Sequence, residues 1–209
     1  MNILRSLAIT LFACGGLLAQ NLSLPAPQKT GGMPLMEALA RRATARSFDA
    51  ARELSPQQLS NLFWAAWGIN RPDGKRTAPS ARNNQEIDVY ALLKTGVFVY
   101  DAKDHQLRQI SPEDCRALGG SQPFVRDAPV TLILVADLAK AGGAGKAGSK
   151  DWAFIDAGYI SQNIYLYCAA ERLATGARAY VDKTELGPKL QLRPDQLIVL
   201  AQSVGYPKP

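Results

Sequence analysis

Histidine is almost missing from this chain of 209 residues, which contains only His105. A Ser-His-Asp triad, a His-ligated zinc site and a haem attachment site need more histidines than this, or a Cys-x-x-Cys-His motif that the chain lacks. No Gly-x-Gly-x-x-Gly or Gly-x-x-x-x-Gly-Lys-Ser/Thr motif follows a strand pattern, which argues against dinucleotide-binding and P-loop folds. His105 itself is predicted to be a surface residue, and the scattered acids form no recognisable glycosidase pair.

Cysteine is also scarce, with three in the chain. Cys14 falls within an N-terminal apolar segment, so only Cys115 and Cys168 belong to the folded part. Because Cys168 lies inside an apolar helix pattern, buried free thiols are predicted. A disulfide between these two residues is the alternative for an exported protein.

Strong clustering of charge is absent too. The formal net charge is +6, but the basic residues are dispersed, with no run longer than Arg41-Arg42. This pattern disfavours a nucleic-acid partner and agrees with a basic face that receives an anionic cofactor. Binding to a membrane surface or to nucleic acid is kept as a minor alternative. With 47% hydrophobic and 20% charged residues, the composition is that of an ordinary globular protein.

Residues 1–20 are predicted to be a signal peptide and are excluded from the fold. A positive start precedes an apolar stretch at residues 7–18, and Ala19 or Gln20 supplies the cleavage point. The stretch is too short for a comfortable membrane span, so no integral membrane segment is expected after its removal. We therefore expect an exported protein, periplasmic or secreted. Residues 11–14 loosely resemble a lipobox, which keeps a lipoprotein as the alternative.

Residues 21–32 are rich in Pro, Ser and Gly and are predicted to be a flexible arm, while residues 33–209 form one domain. The second helix of the domain begins with Ser55 as its cap and Pro56 in its first position, and Gln58 completes a capping box. The third is apolar nearly all round, so we expect it in the core or at a subunit interface. Apolar spacing places the three helices at residues 34–44, 56–67 and 152–173.

Strand patterns alternate with these helices, at residues 88–94, 96–100, 105–110, 129–136, 177–182 and 196–204. Residues 101–104 join the second and third strands as a hairpin, residues 111–114 open a short helix, and residues 141–150 form a mobile loop. The run at 129–136 is apolar on both faces and is predicted to be central. The order implies one α+β domain with a mostly antiparallel or mixed sheet flanked by helices.

Three arginines and two hydroxyl side chains are gathered in residues 41–48, where the first helix ends. The planar guanidinium of arginine suits phosphate because it forms two parallel charge-assisted hydrogen bonds. Thr44 adds a hydroxyl donor. The alternative is a solvated basic helix end that complements the helix dipole.

A second polar segment, residues 77–86, is dense in amide and hydroxyl side chains, and Pro79 stiffens it. Amides donate and accept hydrogen bonds at once, which suits the mixed edge of a flavin ring or a ribityl chain. A plain polar loop between a helix and a strand is the alternative.

Together the two segments resemble the nitroreductase superfamily, most closely its branch related to the SagB-type dehydrogenases. The Arg-rich stretch after the family's first helix is matched, with Ala for a second Arg and Thr for Ser, by Arg42, Ala43, Thr44 and Arg46. The family's Pro-Ser-Ser-x-Asn-x-Gln loop is matched by Pro79, Ser80, Ala81, Asn83 and Gln85. Further family segments are resembled in the same order by residues 64–74, 156–163 and 205–208, so the resemblance spans about residue 35 to the end.

The resemblance implies a nitroreductase-like fold that dimerises through long helices, with FMN at the subunit interface. The phosphate and ribityl end of FMN would be held by Arg42, Ala43, Thr44 and Arg46. Lys208 would reach the phosphate from the C-terminus. The loop that faces the flavin, from the same subunit or from its partner, would supply Pro79, Ser80, Asn83 and Gln85.

The same resemblance implies a homodimeric FMN-dependent oxidoreductase that moves hydride through flavin N5, to or from a small organic substrate. No side chain is needed as a general acid or base, which agrees with the scarcity of histidine. Many nitroreductases have Glu-Gly where this chain has Val181-Asp182, and NAD(P)H and free FMN are scarce outside the cytoplasm. The alternative is a non-catalytic or flavin-storing binding protein that reuses the fold in the exported compartment.

Overall fold

A seven-stranded antiparallel sheet organises the chain, in the order β1-β4-β3-β2-β5-β7-β6. The computed structural model describes residues 20–143 and 145–208, so the predicted signal peptide lies outside the described residues apart from its last position. The strands are Leu22–Ser23 (β1), Ile87–Leu93 (β2), Gly96–Asp101 (β3), Gln106–Ser111 (β4), Val130–Asp137 (β5), Ala174–Arg178 (β6) and Gln196–Gly205 (β7). The helices are Leu35–Arg41 (α1), Pro56–Trp67 (α2), Ser149–Ala170 (α3) and Lys183–Lys189 (α4). Short 3-10 turns lie at Ala81–Asn83, Arg116–Gly119 and Pro123–Asp127.

Strand β5 is the centre of the sheet, as predicted for the run at 129–136, because β2 and β7 flank it and all eight of its residues are buried. Its alternate side chains enter two cores. Leu132 and Leu134 belong to the larger core, which packs against α2 and α3, while Ile133 and Val135 face a smaller core that includes α4. Burial on both faces explains why the strand reads as a continuous apolar run.

Helix α2 begins as its sequence signature predicts. The Ser55 hydroxyl accepts a hydrogen bond from the Gln58 backbone N–H, and the Gln58 side chain accepts one from the Ser55 N–H. Pro56 occupies the first helical position, where its missing N–H has no partner to lose. The capping box and the second predicted helix are confirmed.

Helix α3 is 22 residues long, which confirms the predicted long helix. Its inward face is buried through Ala153, Ala157, Ile160, Ile164 and Cys168, at helical spacing. The opposite face leaves Phe154, Ile155 and Tyr159 about half exposed.

Cys168 and Cys115 are both buried free thiols, as predicted. Among the described residues, no helix is long and apolar enough to cross a membrane.

Residues 21–32, expected as a flexible arm, lie against the domain in the structure. Leu22–Ser23 adds a strand to β4, and the Gln28 backbone N–H donates to the Asn61 side chain of α2 at 2.8 Å.

The predicted surface position of His105 is wrong in the same region. Its ring is half-buried between the N-terminal segment and α2. The Nε2 atom lies 2.7 Å from the Ser60 hydroxyl, and Ser60 in turn donates to the Pro25 carbonyl.

Several predicted elements differ from the structure: α1 ends at Arg41 instead of residue 44, and α3 spans Ser149–Ala170 instead of residues 152–173. The short helix expected from residues 111–114 is wrong, because Ser111 pairs with Val97 as the last residue of β4, and a 3-10 turn forms later, at Arg116–Gly119. The strand expected at 177–182 is displaced toward the N-terminus, to Ala174–Arg178. Helix α4 follows it, although Gly187 and Pro188 hide its helical pattern in the sequence.

Candidate functional site

The Arg-rich segment that follows α1 lies along the start of β6. The Ala45 backbone N–H donates to the Thr175 carbonyl at 2.8 Å. The backbone approaches closely enough that a Cβ added to Gly176 would lie 2.5 Å from the Ala45 carbonyl oxygen. Glycine at this position therefore fixes the segment against the sheet.

The side chains of this segment face solvent beside Tyr165 of α3. The Thr44 hydroxyl lies 3.1 Å from the Tyr165 hydroxyl, which also accepts a hydrogen bond from the Ala177 N–H. The Arg42 guanidinium lies over the Tyr165 ring, 5.4 Å from its centroid. Within the described part of the chain, neither Arg42 nor Arg46 forms an ion pair. Both cations are therefore open to an anionic ligand.

A cavity of about 260 Å³ opens beside this segment. Its lining includes Arg41, Ala43, Ala45, Tyr165, Arg172 and Pro207. Lys208 follows Pro207 and is exposed, so the C-terminal segment brings a cation to the same place. The sequence analysis missed Tyr165 and Arg172. The volume falls below the roughly 300–1,000 Å³ of typical ligand sites, so another surface would have to complete this one.

The second segment forms the tight 3-10 turn Ala81–Asn83 between α2 and β2. Arg82, Asn83 and Gln85 all have positive φ, between 48° and 55°. Asparagine tolerates this left-handed conformation, but arginine and glutamine adopt it rarely, so the turn must be held by its surroundings. Strained backbone of this kind is concentrated at functional sites.

Hydrogen bonds around Gln85 supply that support. Its backbone N–H donates to the Ser80 hydroxyl at 3.0 Å. Its side-chain oxygen accepts from Arg76 at 2.8 Å, while its side-chain nitrogen donates to Asn83 and to the Gly74 carbonyl. Gln85 thus shapes the loop, whereas Pro79 and Asn83 are exposed on it and Ser80 is half-buried.

Two acidic side chains lie beneath the loop. The Ala81 N–H donates to the Asp156 carboxylate of α3 at 2.8 Å. Glu86, the residue after Gln85, is fully buried. Its burial, and next the neighbouring Asp156, raise the pKa of Glu86 to about 7. A cavity of about 280 Å³ lies above Asp156, lined also by Pro79, Ser80, Ala81, Trp152, Ile155 and Tyr159.

The Arg-rich segment and the polar loop lie beside two separate cavities of one chain. The Arg-rich segment contacts α3 at Tyr165 and the polar loop contacts it at Asp156, nine residues away. At 1.5 Å per residue, these contacts lie about 14 Å apart along the helix. The two cavities share no lining residue.

A third cavity, of about 560 Å³, lies beyond the end of β6 and is lined in part by Tyr180, Val181 and Asp182. The Asp182 carboxylate caps α4, accepting from the backbone N–H groups of Thr184 and Glu185 at 3.0 Å each. Many nitroreductases have Glu-Gly where this chain has Val181-Asp182. The Asp182 side chain thus caps a helix at this position.

Arg178 closes the space between β6 and the 3-10 turn beside this cavity. Its guanidinium donates to the Gly119 carbonyl at 2.7 Å and to the Ser203 hydroxyl at 2.9 Å. Burial lowers the pKa of Arg178 to about 10. The guanidinium packs against Gly120, where an added Cβ would lie 2.4 Å from its Nε atom.

Comparison with known proteins agrees with this architecture. The model of the nitroreductase family matches residues 39–206. A nitroreductase-like protein of Methanocaldococcus jannaschii is 24% identical over 177 residues, which cover 79% of this chain and 88% of that protein. The crystal structure of a nitroreductase-like protein of Ralstonia eutropha is 36% identical and superimposes with a TM-score of 0.85, covering 90% of each chain.

A more distant crystal structure shares the fold. An NADH oxidase-like protein of Clostridium acetobutylicum is 19% identical, with a TM-score of 0.59 over 82% of this chain and 87% of that one. The antiparallel sheet, the long helix and the family match all lead to one conclusion. The chain belongs to the nitroreductase family and is therefore an oxidoreductase.

Proposed function

We propose that the protein is an FMN-dependent oxidoreductase that acts on a small organic substrate. The observation that carries the proposal is the pair of exposed guanidinium groups, Arg42 and Arg46, without ion-pair partners in the described chain, on a segment whose residues Arg41, Ala43 and Ala45 line a cavity. An unpaired cluster of this kind attracts a phosphate group. When bound, FMN would supply the two-electron hydride chemistry at its N5 atom.

The groups present fit the phosphate and ribityl end of FMN. Arg42, Arg46 and Lys208 supply exposed positive charge, and Arg41 and Arg172 line the neighbouring cavity. The Thr44 hydroxyl adds a neutral hydrogen-bond partner, positioned by Tyr165. Two acids flank this cluster in the sequence: Glu37 is engaged by Arg41, and Asp49 forms no ion pair among the described residues, which leaves Arg42 and Arg46 available to the ligand.

The polar loop fits the flavin ring. The Asn83 side-chain nitrogen has no hydrogen-bond partner among the described residues, while its oxygen accepts from Gln85. Pro79 and Ser80 border the cavity above Asp156. The loop therefore offers a donor and a rigid edge, with its conformation fixed by bonds within the protein.

We propose a two-fold dimer as the functional unit. Apolar side chains are exposed on α1 and α3, at Leu35, Met36, Leu39, Phe154, Ile155 and Tyr159. Such a patch is typical of a protein interface. In an isologous dimer, each partial site meets the other one from the partner subunit, which would complete two equivalent FMN sites.

The absorption spectrum of the purified protein tests the cofactor. We expect a flavin spectrum, retained or regained after incubation with FMN. Arg42→Ala should weaken FMN binding by about 10- to 100-fold, because a charge-assisted hydrogen bond contributes about 1.5–3 kcal/mol. Arg108→Ala, at an exposed arginine on β4, is the matched control and should bind like the parent. Equal FMN retention in both variants would remove Arg42 from the phosphate site.

A flavin-storing protein without turnover is the second candidate, favoured by the use of Asp182 as a helix cap in the Glu-Gly position. Reduction of the bound flavin separates the two functions. An oxidoreductase should be reduced by NADH, NADPH or another donor and reoxidised by an organic acceptor. Flavin that only dithionite reduces, and that no acceptor reoxidises faster than free FMN, would favour storage.

We also propose that the protein is exported, on the basis of the signal-peptide pattern in residues 1–20. N-terminal sequencing of the mature protein from a periplasmic or secreted fraction tests this. A start near Gln20 or Asn21 is expected, whereas a lipid-modified Cys14 at the N-terminus would indicate the lipoprotein instead.

A further inference from the structure

Arg76 lies in a short hairpin, residues 68–77, that joins α2 to the polar loop. Its backbone pairs with Ile69 across the hairpin. Its half-buried guanidinium lies over the Trp67 ring, 5.2 Å from the centroid, and Nη1 donates to the Trp67 carbonyl at 3.0 Å. The Nε atom donates to the Gln85 side-chain oxygen at 2.8 Å. Because Arg76 forms no ion pair in the described part of the chain, its only charge-assisted bond to the loop is the one to Gln85.

The Gln85 amide fits its neighbours in one orientation. A guanidinium can only donate hydrogen bonds, so the atom that faces Arg76 must be the amide oxygen. The amide nitrogen then donates to the Gly74 carbonyl and to the Asn83 side-chain oxygen, at 3.2 Å each. A flipped amide would set a donor against the guanidinium and an acceptor against the Gly74 carbonyl. Arg76 and Gly74 therefore fix the orientation from two sides.

The orientation of Gln85 decides which atom of Asn83 is free. The Asn83 side-chain oxygen accepts from Gln85, which leaves the nitrogen for other partners. Asn83 is exposed, and its side-chain nitrogen donates to nothing among residues 20–143 and 145–208. The bonds thus run in one direction, from Arg76 through Gln85 to Asn83, and this series is named the amide relay.

We infer that Arg76 is a positioning residue that, through the amide relay, makes Asn83 a hydrogen-bond donor and so selects ligand groups that accept hydrogen bonds. Without Arg76, the Gln85 oxygen loses its partner and the amide is free to turn. Asn83 could then present its oxygen as readily as its nitrogen. The positive φ of Asn83 and Gln85, 55° and 48°, adds to the need for side-chain support.

The inference deepens the proposed function, on which its relevance to FMN rests, because the polar loop is proposed to face the flavin. Carbonyl oxygens and unprotonated ring nitrogens are the acceptors that a flavin offers. The amide relay would therefore present Asn83 to this edge as a donor, with a cation at the far end of the relay that strengthens the polarisation.

Exchange of side-chain amide protons, followed by nuclear magnetic resonance, tests the amide relay without flavin. In the parent, the Gln85 amide protons should exchange with solvent at least about tenfold more slowly than those of Asn83, since only the former are hydrogen-bonded. Arg76→Met should bring the two rates together. Arg76→Gln, whose amide can also accept, should do the same, whereas Arg108→Met, at an exposed arginine, should match the parent. Equal rates in the parent, or slow Gln85 exchange retained in both Arg76 variants, would overturn the inference.

The donor role of Asn83 is tested by a change of one group. Asn83→Asp keeps the oxygen that accepts from Gln85 and replaces the free donor with an acceptor. Its FMN affinity should fall on the order of tenfold below that of Asn84→Asp, which adds the same charge at the next residue. Equal affinities of the two variants would show that Asn83 does not donate to the ligand.

A double-mutant cycle distinguishes positioning from general support of the loop. Arg76→Met should lower FMN affinity about 3- to 10-fold in the parent but less than about twofold in Asn83→Asp, where no donor remains to be positioned. Arg76→Lys keeps a group that only donates and should lose less affinity than Arg76→Met. Circular dichroism verifies that each variant is folded. Losses that simply add would mean that Arg76 supports the structure and does not act through Asn83.

The two proposals fail separately. If no FMN binds under any condition, the proposed cofactor is wrong, while amide exchange still decides the direction of the amide relay. If FMN binds and the losses from Arg76→Met and Asn83→Asp add, the cofactor proposal survives and the positioning role of Arg76 is refuted.

Discussion

At the residue scale, one line of hydrogen bonds joins the N-terminal segment to α2 and the sheet. The Ser60 hydroxyl donates to the Pro25 carbonyl at 2.5 Å, so its oxygen accepts from His105 Nε2–H. His105 Nδ1 then accepts from the Tyr100 hydroxyl at 2.9 Å. This arrangement corresponds to neutral histidine, because a protonated ring has no lone pair on Nδ1 to accept the Tyr100 proton, and burial disfavours the charged ring.

Acidification should therefore weaken this junction. Burial lowers the pKa of His105, so its contribution to stability is present above the unfolded pKa of about 6.5 and is lost as the pH falls below it. His105→Asn tolerates the left-handed backbone at φ 47° but loses both ring bonds. We expect its free energy of unfolding to be about 1–2 kcal/mol below that of the parent at pH 7.5.

The difference between parent and His105→Asn should shrink toward pH 5 in urea unfolding followed by circular dichroism. Asp104→Asn, at an exposed residue of the same turn, should show neither the loss at pH 7.5 nor the convergence. Each variant must be compared with the parent at the same pH, because Glu86 changes the free energy of unfolding with pH in the direction opposite to His105. The raised pKa of Glu86 means that stability is lost as the pH rises through about 7.

Residue-level prediction succeeded where the signal was local. The arginines of residues 41–48 stand together in the sequence, and the structure keeps Arg42 and Arg46 exposed on one segment while Arg41 lines a cavity. Tyr165 reaches the same place from 121 positions beyond Thr44, and nothing in its own surroundings marks it. Asp156 and Glu86 likewise meet only after α3 packs on the loop. Local chemistry can be predicted from sequence, whereas the partners that orient it depend on the tertiary fold.

At the element scale, α2 depends on a reciprocal cap whose signature is complete in the sequence. The Ser55 hydroxyl satisfies the Gln58 N–H, which no residue within the helix can do. Ser55→Ala should lower the free energy of unfolding by about 1 kcal/mol, measured by urea denaturation. Ser47→Ala is the control, at an exposed serine outside any helix, and should change it by less than about 0.5 kcal/mol. Equal effects of both variants would contradict the importance of the cap.

The displaced β6 shows why other element boundaries escape prediction. Ala174, Thr175 and Gly176 have weak strand propensity as a group, so the pattern favoured the residues after them. Pairing with β7 decides the matter, since Ala174 lies opposite Gly205 and Arg178 opposite Ala201. The close approach of Ala45 requires a residue without a side chain at Gly176. Packing of the Arg-rich segment therefore places a residue of weak strand propensity within β6.

At the scale of the whole molecule, a mostly antiparallel or mixed sheet and its central β5 were predicted from the sequence, whereas the strand order was not, and the resemblance left open which subunit supplies the loop that faces the flavin. The sequence brings the two polar segments within about 40 positions of each other, which suggests one pocket. The structure separates them along α3 and leaves an apolar face on the same helix. In the proposed dimer, one interface would both complete the site and bury that face.

A charge on the exposed face of α3 should therefore abolish both dimerisation and cofactor retention. Ile155 is 54% exposed in the single chain and lines the cavity above Asp156. In a two-fold interface, Ile155→Glu buries two unpaired carboxylates at about 2 kcal/mol each, which weakens the dimer roughly 10³-fold. Sedimentation velocity should show a monomer and the absorption spectrum a loss of bound FMN.

Thr95→Glu, at an exposed position in the turn between β2 and β3, introduces the same charge away from α3 and should leave both properties unchanged. Circular dichroism confirms that each variant is folded. A folded Ile155→Glu monomer that binds FMN as tightly as the parent would show that one chain completes the site. In that case the exposed apolar face would need a different explanation. Only the loss of both dimerisation and FMN binding in this variant would support a site that is completed by the dimer.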